Sequence, residues 1–230
     1  CADKSFLDFV YVINVTNHLG QPGKEGTVYL INMSTSIGTL SSYHSIGKSC
    51  AMKVYKSNKS YKTVLKEAQF QQEAAKCGVA PKVYAVLPKG VNLDVNGPVI
   101  IMDLGGERVI DRIKRQGGML TENQQFKLLQ TAIKLDRCGI RQNDPNPLNF
   151  MFASKTSDDV LWLDYGFARK QEKDKLNNLL SLGTFLRGGM QGLISRKILK
   201  PEGATVITSW VEKASKDKKL SEKDIKIILV

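Results

Sequence analysis

The residues with the most chemical content lie between Asn143 and Gly166. Asp144-Pro145-Asn146-Pro147-Leu148-Asn149 sets an aspartate and an asparagine five positions apart on a chain stiffened by two prolines. Asp164-Tyr165-Gly166 follows fifteen residues after Asn149, behind the apolar stretch Leu161-Trp162-Leu163. Two carboxylates and an amide, on a loop and a strand end that converge, are an all-oxygen set suited to a hard divalent cation. Mg²⁺ takes one or two carboxylates and completes its shell with phosphate oxygens. A carboxylate left outside the metal shell can orient a hydroxyl and take its proton while a phosphoryl group is transferred. Upstream, Ala51-Met52-Lys53 places an amine in an apolar strand, where it needs an anionic partner. A nucleotide phosphate would serve, and so would a carboxylate of the following helix, with Glu67 and Glu73 the candidates. Gly23-x-x-Gly26-x-Val28 lies between two strand-like runs, and glycines there let backbone N–H groups approach phosphate closely.

Each feature also has a plainer reading. Turns use Asp, Asn, Pro and Gly for their own geometry, a strand lysine can extend to water, and a glycine loop can be an ordinary hairpin. It is the agreement of independent features, in one order, that favours chemistry.

The elements that must carry these residues can be read from local pattern. Residues 6–15 and 27–32 are rich in β-branched and aromatic side chains and read as strands. The polar stretch 34–48 reads as a long loop or extended hairpin tip before a third strand, 51–55. Residues 61–77 contain no Gly or Pro and predict a helix ended by Gly78. Residues 82–87 and 98–104 predict two more strands, with Asn96-Gly97 between them as a hairpin signal. In the second part, Thr121 and Gln124 form a capping-box pattern for a helix to about Asp136, on which Phe126, Leu129 and Ile133 make a buried stripe. Short strands are expected over 149–152 and 160–163, and helices over 171–187, 205–215 and 221–229. The fold class expected is α+β, in two lobes joined near residues 103–106.

Composition sets the background. Apolar residues make up 42% and charged residues 24%, which is ordinary globular usage and speaks against disorder, collagen-like and coiled-coil readings. The apolar runs, such as 99–102, are far short of the ~20 residues a membrane-spanning helix needs. The chain begins at Cys1 and reads as trimmed from something longer. The net charge of +12 is uneven: residues 48–66 hold six lysines and no acid, and residues 167–230 hold 14 basic and 7 acidic side chains. Such a surface is either merely solvated or attracts polyanions. The four cysteines show no metal-ligand spacing, Cys50 and Cys138 read as core thiols, and reduced, cytoplasmic conditions are expected. Two histidines, His18 and His44, leave no room for His-based zinc sites. Trp162 and Trp210 read as core residues, and the basic C-terminal cluster lacks the interleaved aromatics of a single-strand nucleic-acid platform.

Taken together, the set resembles the protein kinase superfamily: a Gly-rich loop, a third-strand Ala-x-Lys, a helix Glu, a catalytic-loop Asp-x-x-x-x-Asn and an Asp-x-Gly. The stretch Val99-Ile100-Ile101-Met102-Asp103-Leu104-Gly105-Gly106 is similar to the family's apolar strand, gatekeeper and hinge. The resemblance runs from about Phe6 to Arg169 and implies a bilobal fold, with residues 1–103 a five-stranded N-lobe with one main helix and 104–230 a reduced helical C-lobe. It implies ATP and Mg²⁺ (or Mn²⁺) as cofactors. By position, Lys53 would hold the α/β-phosphates and pair with Glu67, preferred to Glu73. Asp144 would be the catalytic base, and Asn149 and Asp164 the metal ligands. Gly20, Gly23, Gly26, Val28 and Ala51 would line the nucleotide, with Met102 as gatekeeper and Asp103 and Leu104 offering backbone groups to adenine.

The chain departs from the family pattern where the catalytic-loop His and Arg become Gln142 and Asn143, and where the Lys two residues after the base becomes Asn146. No Ala-Pro-Glu follows, and the region after Gly166 is only 64 residues long. In this compactness the chain resembles the divergent kinases that bacteria inject into host cells, Legionella-type effectors among them, and that resemblance implies a host-cytosol setting. The reading that follows is a Ser/Thr protein kinase, monomeric, with a protein substrate. Alternatives stay open. Asp-x-x-Pro-x-Asn is also similar to the loop of aminoglycoside and choline kinases. The basic surface suits an inositol polyphosphate or anionic lipid as substrate or activator, a related enzyme class transfers AMP, and a pseudokinase would only bind. No specific nucleic-acid binding is expected.

Overall fold

The computed structural model describes residues 12–19, 22–37, 44–90 and 95–230. The protein is α+β and divides into two compact units, residues 1–72 with 81–104, and residues 73–80 with 105–230.

The first unit is built on β1 (Val12–His18), β2 (Gly26–Ile37), β3 (His44–Tyr55), α1 (Tyr61–Lys76, of which residues 73–76 count with the second unit), β4 (Val83–Leu87) and β5 (Val99–Asp103). The strands form one antiparallel sheet in the order β1-β2-β3-β5-β4. The predicted β-β-β-α-β-β order therefore holds among the described residues. Residues 6–11 of the expected first strand lie outside them. Of the stretch 34–48, read as a long loop or extended hairpin tip, residues 34–37 and 44–48 form the extended hairpin, because β2 and β3 stay paired out to Ile37 opposite His44; residues 38–43 lie outside the described ones. Ser and Thr fit a ribbon without giving the alternation by which a strand is recognised.

Both faces of this sheet are apolar, since alternate residues point to opposite sides. Ile31, Cys50, Met52, Ala85, Val99 and Ile101 make one cluster. Tyr55, Val83, Val86 and Ile100 make the other, with Val64 and Ala68 of α1. Val83 and Ala85 fall in different clusters because the β4–β5 register shifts between them. Helix α1 ends as expected, with Gly78 at φ 76° and the Gly78 and Val79 N–H groups donating to Ala75 and Ala74. β4 and β5 pair antiparallel, as the Asn96-Gly97 hairpin signal between them predicts. Gly97 packs against the Tyr55 carbonyl, where an added Cβ would collide.

The second unit contains β6 (Glu107–Arg108), α2 (Val109–Arg115), α3 (Glu122–Arg137), β7 (Ile140–Arg141), β8 (Phe150–Phe152), β9 (Val160–Trp162), β10 (Arg169–Lys170), α4 (Asn177–Arg187), α5 (Thr205–Asp217) and α6 (Glu222–Leu229). The capping box at Thr121 is present in full, with the Thr121 hydroxyl and the Gln124 side chain each accepting the other's backbone N–H. Leu129 and Ile133 of α3 are fully buried, while Phe126 is half-buried. Phe150 stacks between Trp162 and Phe185, at 4.6 and 4.7 Å between ring centroids. Trp162 is fully buried and Trp210 half-buried.

Helix α4 begins at Asn177 rather than at 171. Arg169 and Lys170 are paired to β7, and the Gln171 N–H donates to the Gly139 carbonyl, so the chain cannot yet coil. Cys77 and Cys138 form a disulfide with 6.5 Å between Cα atoms, which corrects the reading of Cys138 as a core thiol and of the cysteines as unpaired. Cys50 is a buried free thiol, as expected. The disulfide closes a 61-residue separation, for which chain entropy predicts about 4 kcal/mol of stabilisation. No helix among the described residues is long and apolar enough to cross a membrane.

Candidate functional site

In the first unit, Lys53 lies mid-sheet, opposite Val28 on β2 and Ile100 on β5. Its Nζ is 3.0 Å from Glu67 Oε1, and both side chains are largely buried, at 14% and 8% exposed. Tyr55, two residues on and thus on the same face, donates its hydroxyl to the same oxygen at 2.6 Å. The lysine also sits 4.5 Å from the Tyr55 ring centroid. Helix periodicity explains why the partner is Glu67: Val64, Glu67, Ala68 and Gln71 share the buried face of α1, whereas Glu73 is exposed. Removing either partner of so buried a pair costs about 3–5 kcal/mol, because it strands the other charge.

The other residues read as nucleotide-lining are distributed through the same unit. Gly20 lies outside the described residues. The Gly23 N–H donates to the Gly26 carbonyl at 2.8 Å. Gly26 faces the Val54 carbonyl so closely that a Cβ would overlap it, so the strand itself supplies a reason for glycine there. Ala51 is buried opposite Met102, whose sulfur receives the Gln71 amide at 3.4 Å. Asp103 accepts the Tyr84 hydroxyl at 2.5 Å, and its N–H donates to the Lys82 carbonyl, so that N–H is already committed rather than offered to a ligand. Leu104 is exposed.

In the second unit the structure draws Asp144, Asn149 and Asp164 into one hydrogen-bonded loop system. Asn149 Nδ2 donates to the Asp144 carbonyl at 3.1 Å, and the Leu163 N–H donates to the Asn149 carbonyl at 2.7 Å. Gln142 ties the two sides together. Its Nε2 donates to the Leu163 and Asp164 carbonyls at 2.8 and 2.6 Å, while its Oε1 accepts the Asp144 N–H at 2.5 Å. Asn143 and Asp164 both adopt left-handed backbone, φ 67° and 61°. That conformation costs about 1 kcal/mol or more for a non-glycine residue and persists where surroundings over-determine it. Asn149 and Asp164 offer hard oxygen donors, and with Nδ2 engaged the amide end of Asn149 that can meet a cation is Oδ1. The donor set therefore fits Mg²⁺.

At the level of sequence Gln142 shows only as a departure from the resembled pattern, with no sign of what holds it. The Gln142 N–H donates to Asn178 Oδ1, and Asn178 Nδ2 donates to the Ile140 carbonyl and to Asp136. Asp136, fully buried on α3, also accepts the Asn178 and Leu179 N–H groups and the Gln171 amide. It thus caps α4 from another helix, where α4's own N-cap residue, Leu176, offers no side-chain bond. Burial outweighs these donors and pushes the Asp136 carboxyl up to about 6. A lone mid-helix Asp at sequence level gives no sign of this. Tyr165, next to Asp164 in sequence, is fully buried, its hydroxyl without a partner among the described residues and driven far up by burial.

No family model matches this chain, and no curated protein matches it.

Proposed function

We propose that the chain is an ATP- and Mg²⁺-dependent phosphotransferase of kinase-like, bilobal fold, acting on a protein Ser/Thr hydroxyl. The observation that carries this reading is the Gln142-centred lattice that binds the backbones of Asp144, Asn149 and Asp164 together at two left-handed residues. It is supported by the buried Lys53–Glu67 pair on the first unit. Lys53, oriented by Glu67 and Tyr55, would neutralise the α/β-phosphates. Asn149 and Asp164 would hold Mg²⁺, which when bound neutralises phosphate charge. Asp144 would orient the acceptor hydroxyl and take its proton as the new oxygen–phosphorus bond forms; the γ-phosphorus–oxygen bond then breaks, and ADP leaves with that electron pair.

A small-molecule acceptor is the second reading, favoured by Asn146. Its side chain accepts the Leu148 N–H at 3.0 Å and serves the turn, in the position where a lysine would face a protein substrate.

The test is intact-mass analysis after incubation with Mg-ATP and, separately, generic protein substrates, small amine alcohols and inositol phosphates, with Asp164→Ala as control. Mass gain by one phosphate in wild type and not in Asp164→Ala supports the assignment. Gain by AMP redirects it to nucleotide transfer, and equal gain in both proteins sinks it.

A further inference from the structure

We infer that the face of the β7–β10 ladder is a binding site for a small molecule bearing two or more phosphate groups. In this ladder Arg141 pairs directly with Arg169. Directly opposed residues share a face, and so do residues two positions away. Arg141 and Arg169 therefore share one side of the two-residue ladder, and with Asn143, Phe167, Lys170 and Gln171 they line a cavity of about 480 Å³.

Like charges directly opposed across strands are destabilising. Yet the side chains of Arg141, Arg169 and Lys170 meet no carboxylate among the described residues, and no acid lines the cavity. The nearby Glu172 faces Lys175 instead, at 3.6 Å. The floor is fixed: Asn143 Nδ2 donates to the Phe167 carbonyl at 3.0 Å, and Gln171 is held by Asp136 and by Asn177. Three cations around one concavity, with no carboxylate among its lining residues, are what a dense anion would neutralise. Arginine forks suit phosphate in particular.

The ligand comes from outside this stretch. Residues 167–176 contain no Ser, Thr or Tyr that could be phosphorylated to fill the cavity from within. Its volume falls in the ~300–1,000 Å³ range of small-molecule sites. Phe167, 64% exposed, offers a ring face at its rim. Phosphopeptide docking is the competing possibility and is separated by the test.

The experiment is calorimetry on the full chain, without ATP or Mg²⁺, using inorganic tripolyphosphate, pyrophosphate and a phosphoserine peptide as probes at matched ionic strength. Its outcome does not depend on phosphoryl transfer. Tripolyphosphate is expected to bind most tightly. The double variant Arg141→Gln/Arg169→Gln should weaken it at least tenfold and Lys170→Gln by less, while Lys53→Met leaves that binding event in place. The double variant should melt no lower than wild type, which separates lost binding from lost fold. Affinity unchanged within twofold in the double variant, loss in Lys53→Met instead, or tighter binding of the peptide than of tripolyphosphate would each overturn the inference.

Discussion

Two arginine sites in the second unit are handled in opposite ways. Arg112 is 3% exposed and completely answered. It pairs with Glu107 and Asp158, donates to the carbonyls of Ser154, Lys155 and Ser157, and lies 3.7 Å over the Phe152 ring. Arg141 and Arg169 are exposed, opposed to one another, and meet no carboxylate among the described residues. The first arrangement spends a charge on architecture: a single guanidinium gathers a turn whose carbonyls have few other partners. The second leaves charge available to something that is not part of the chain. Charge on this basic protein therefore has to be read site by site, because the same residue type serves as a staple in one place and as a receptor in the other.

The contrast can be broken most forcefully at Arg112. Arg112→Met keeps apolar contact with Phe152 but strands three carbonyls and takes the cation from Asp158, while Glu107 keeps Arg115. A loss of about 3–5 kcal/mol is expected, seen as a fall of roughly 10 °C in thermal melting. A change under 2 °C would show that the turn holds without its staple.

The next effect belongs to Asp136. Its folded carboxyl, raised to about 6 from 3.8, takes up a proton more readily than the unfolded chain does. The resulting stability is fully present below pH 3.8 and is lost as pH rises through 6, a span of about 3 kcal/mol. Glu107 runs the other way. The guanidinium of Arg115, then that of Arg112, holds it at about 2, so its contribution is present above 4.5 and fades as pH falls through 2. Wild type should therefore be most stable near pH 4–5. Asp136→Asn should lose the rise between pH 6 and 4 in urea titrations, and an unchanged profile would remove Asp136 as its source. The smallest effect sharpens the comparison from the receptor side. Arg169→Gln alone relieves a like-charge pair and should raise melting by about 1–3 °C, the reverse of Arg112→Met.

What could be read in the sequence was local. The Thr121 box needs four residues and the Gly78 cap needs the helix before it, whereas the preference for Glu67 over Glu73 as partner of Lys53 rests on the spacing of the resembled family. What could not be read is set by packing between distant segments. Asp136 reaches Asn178 across 42 residues and Cys77 reaches Cys138 across 61, so no periodicity announces either. The ladder that opposes Arg141 to Arg169 is two residues long, too short to carry an alternation. The ribbon over 34–37 and 44–48 is legible only as one of two readings, since its Ser and Thr residues also look like loop.

The two glycines that press on the end of β3 have a consequence for any attempt to diversify this chain. Gly26, the first residue of β2, and Gly97, just ahead of β5, meet the main chain of Val54 and Tyr55 with no room for a methyl group. The bench on which Lys53 stands is therefore gripped by main chain from two directions, and no repacking elsewhere can make space. In a randomised library both positions should return as glycine even under selection for folding alone, whereas Gly23, whose nearest neighbour to an added carbon is one oxygen at 3.3 Å, should admit alanine.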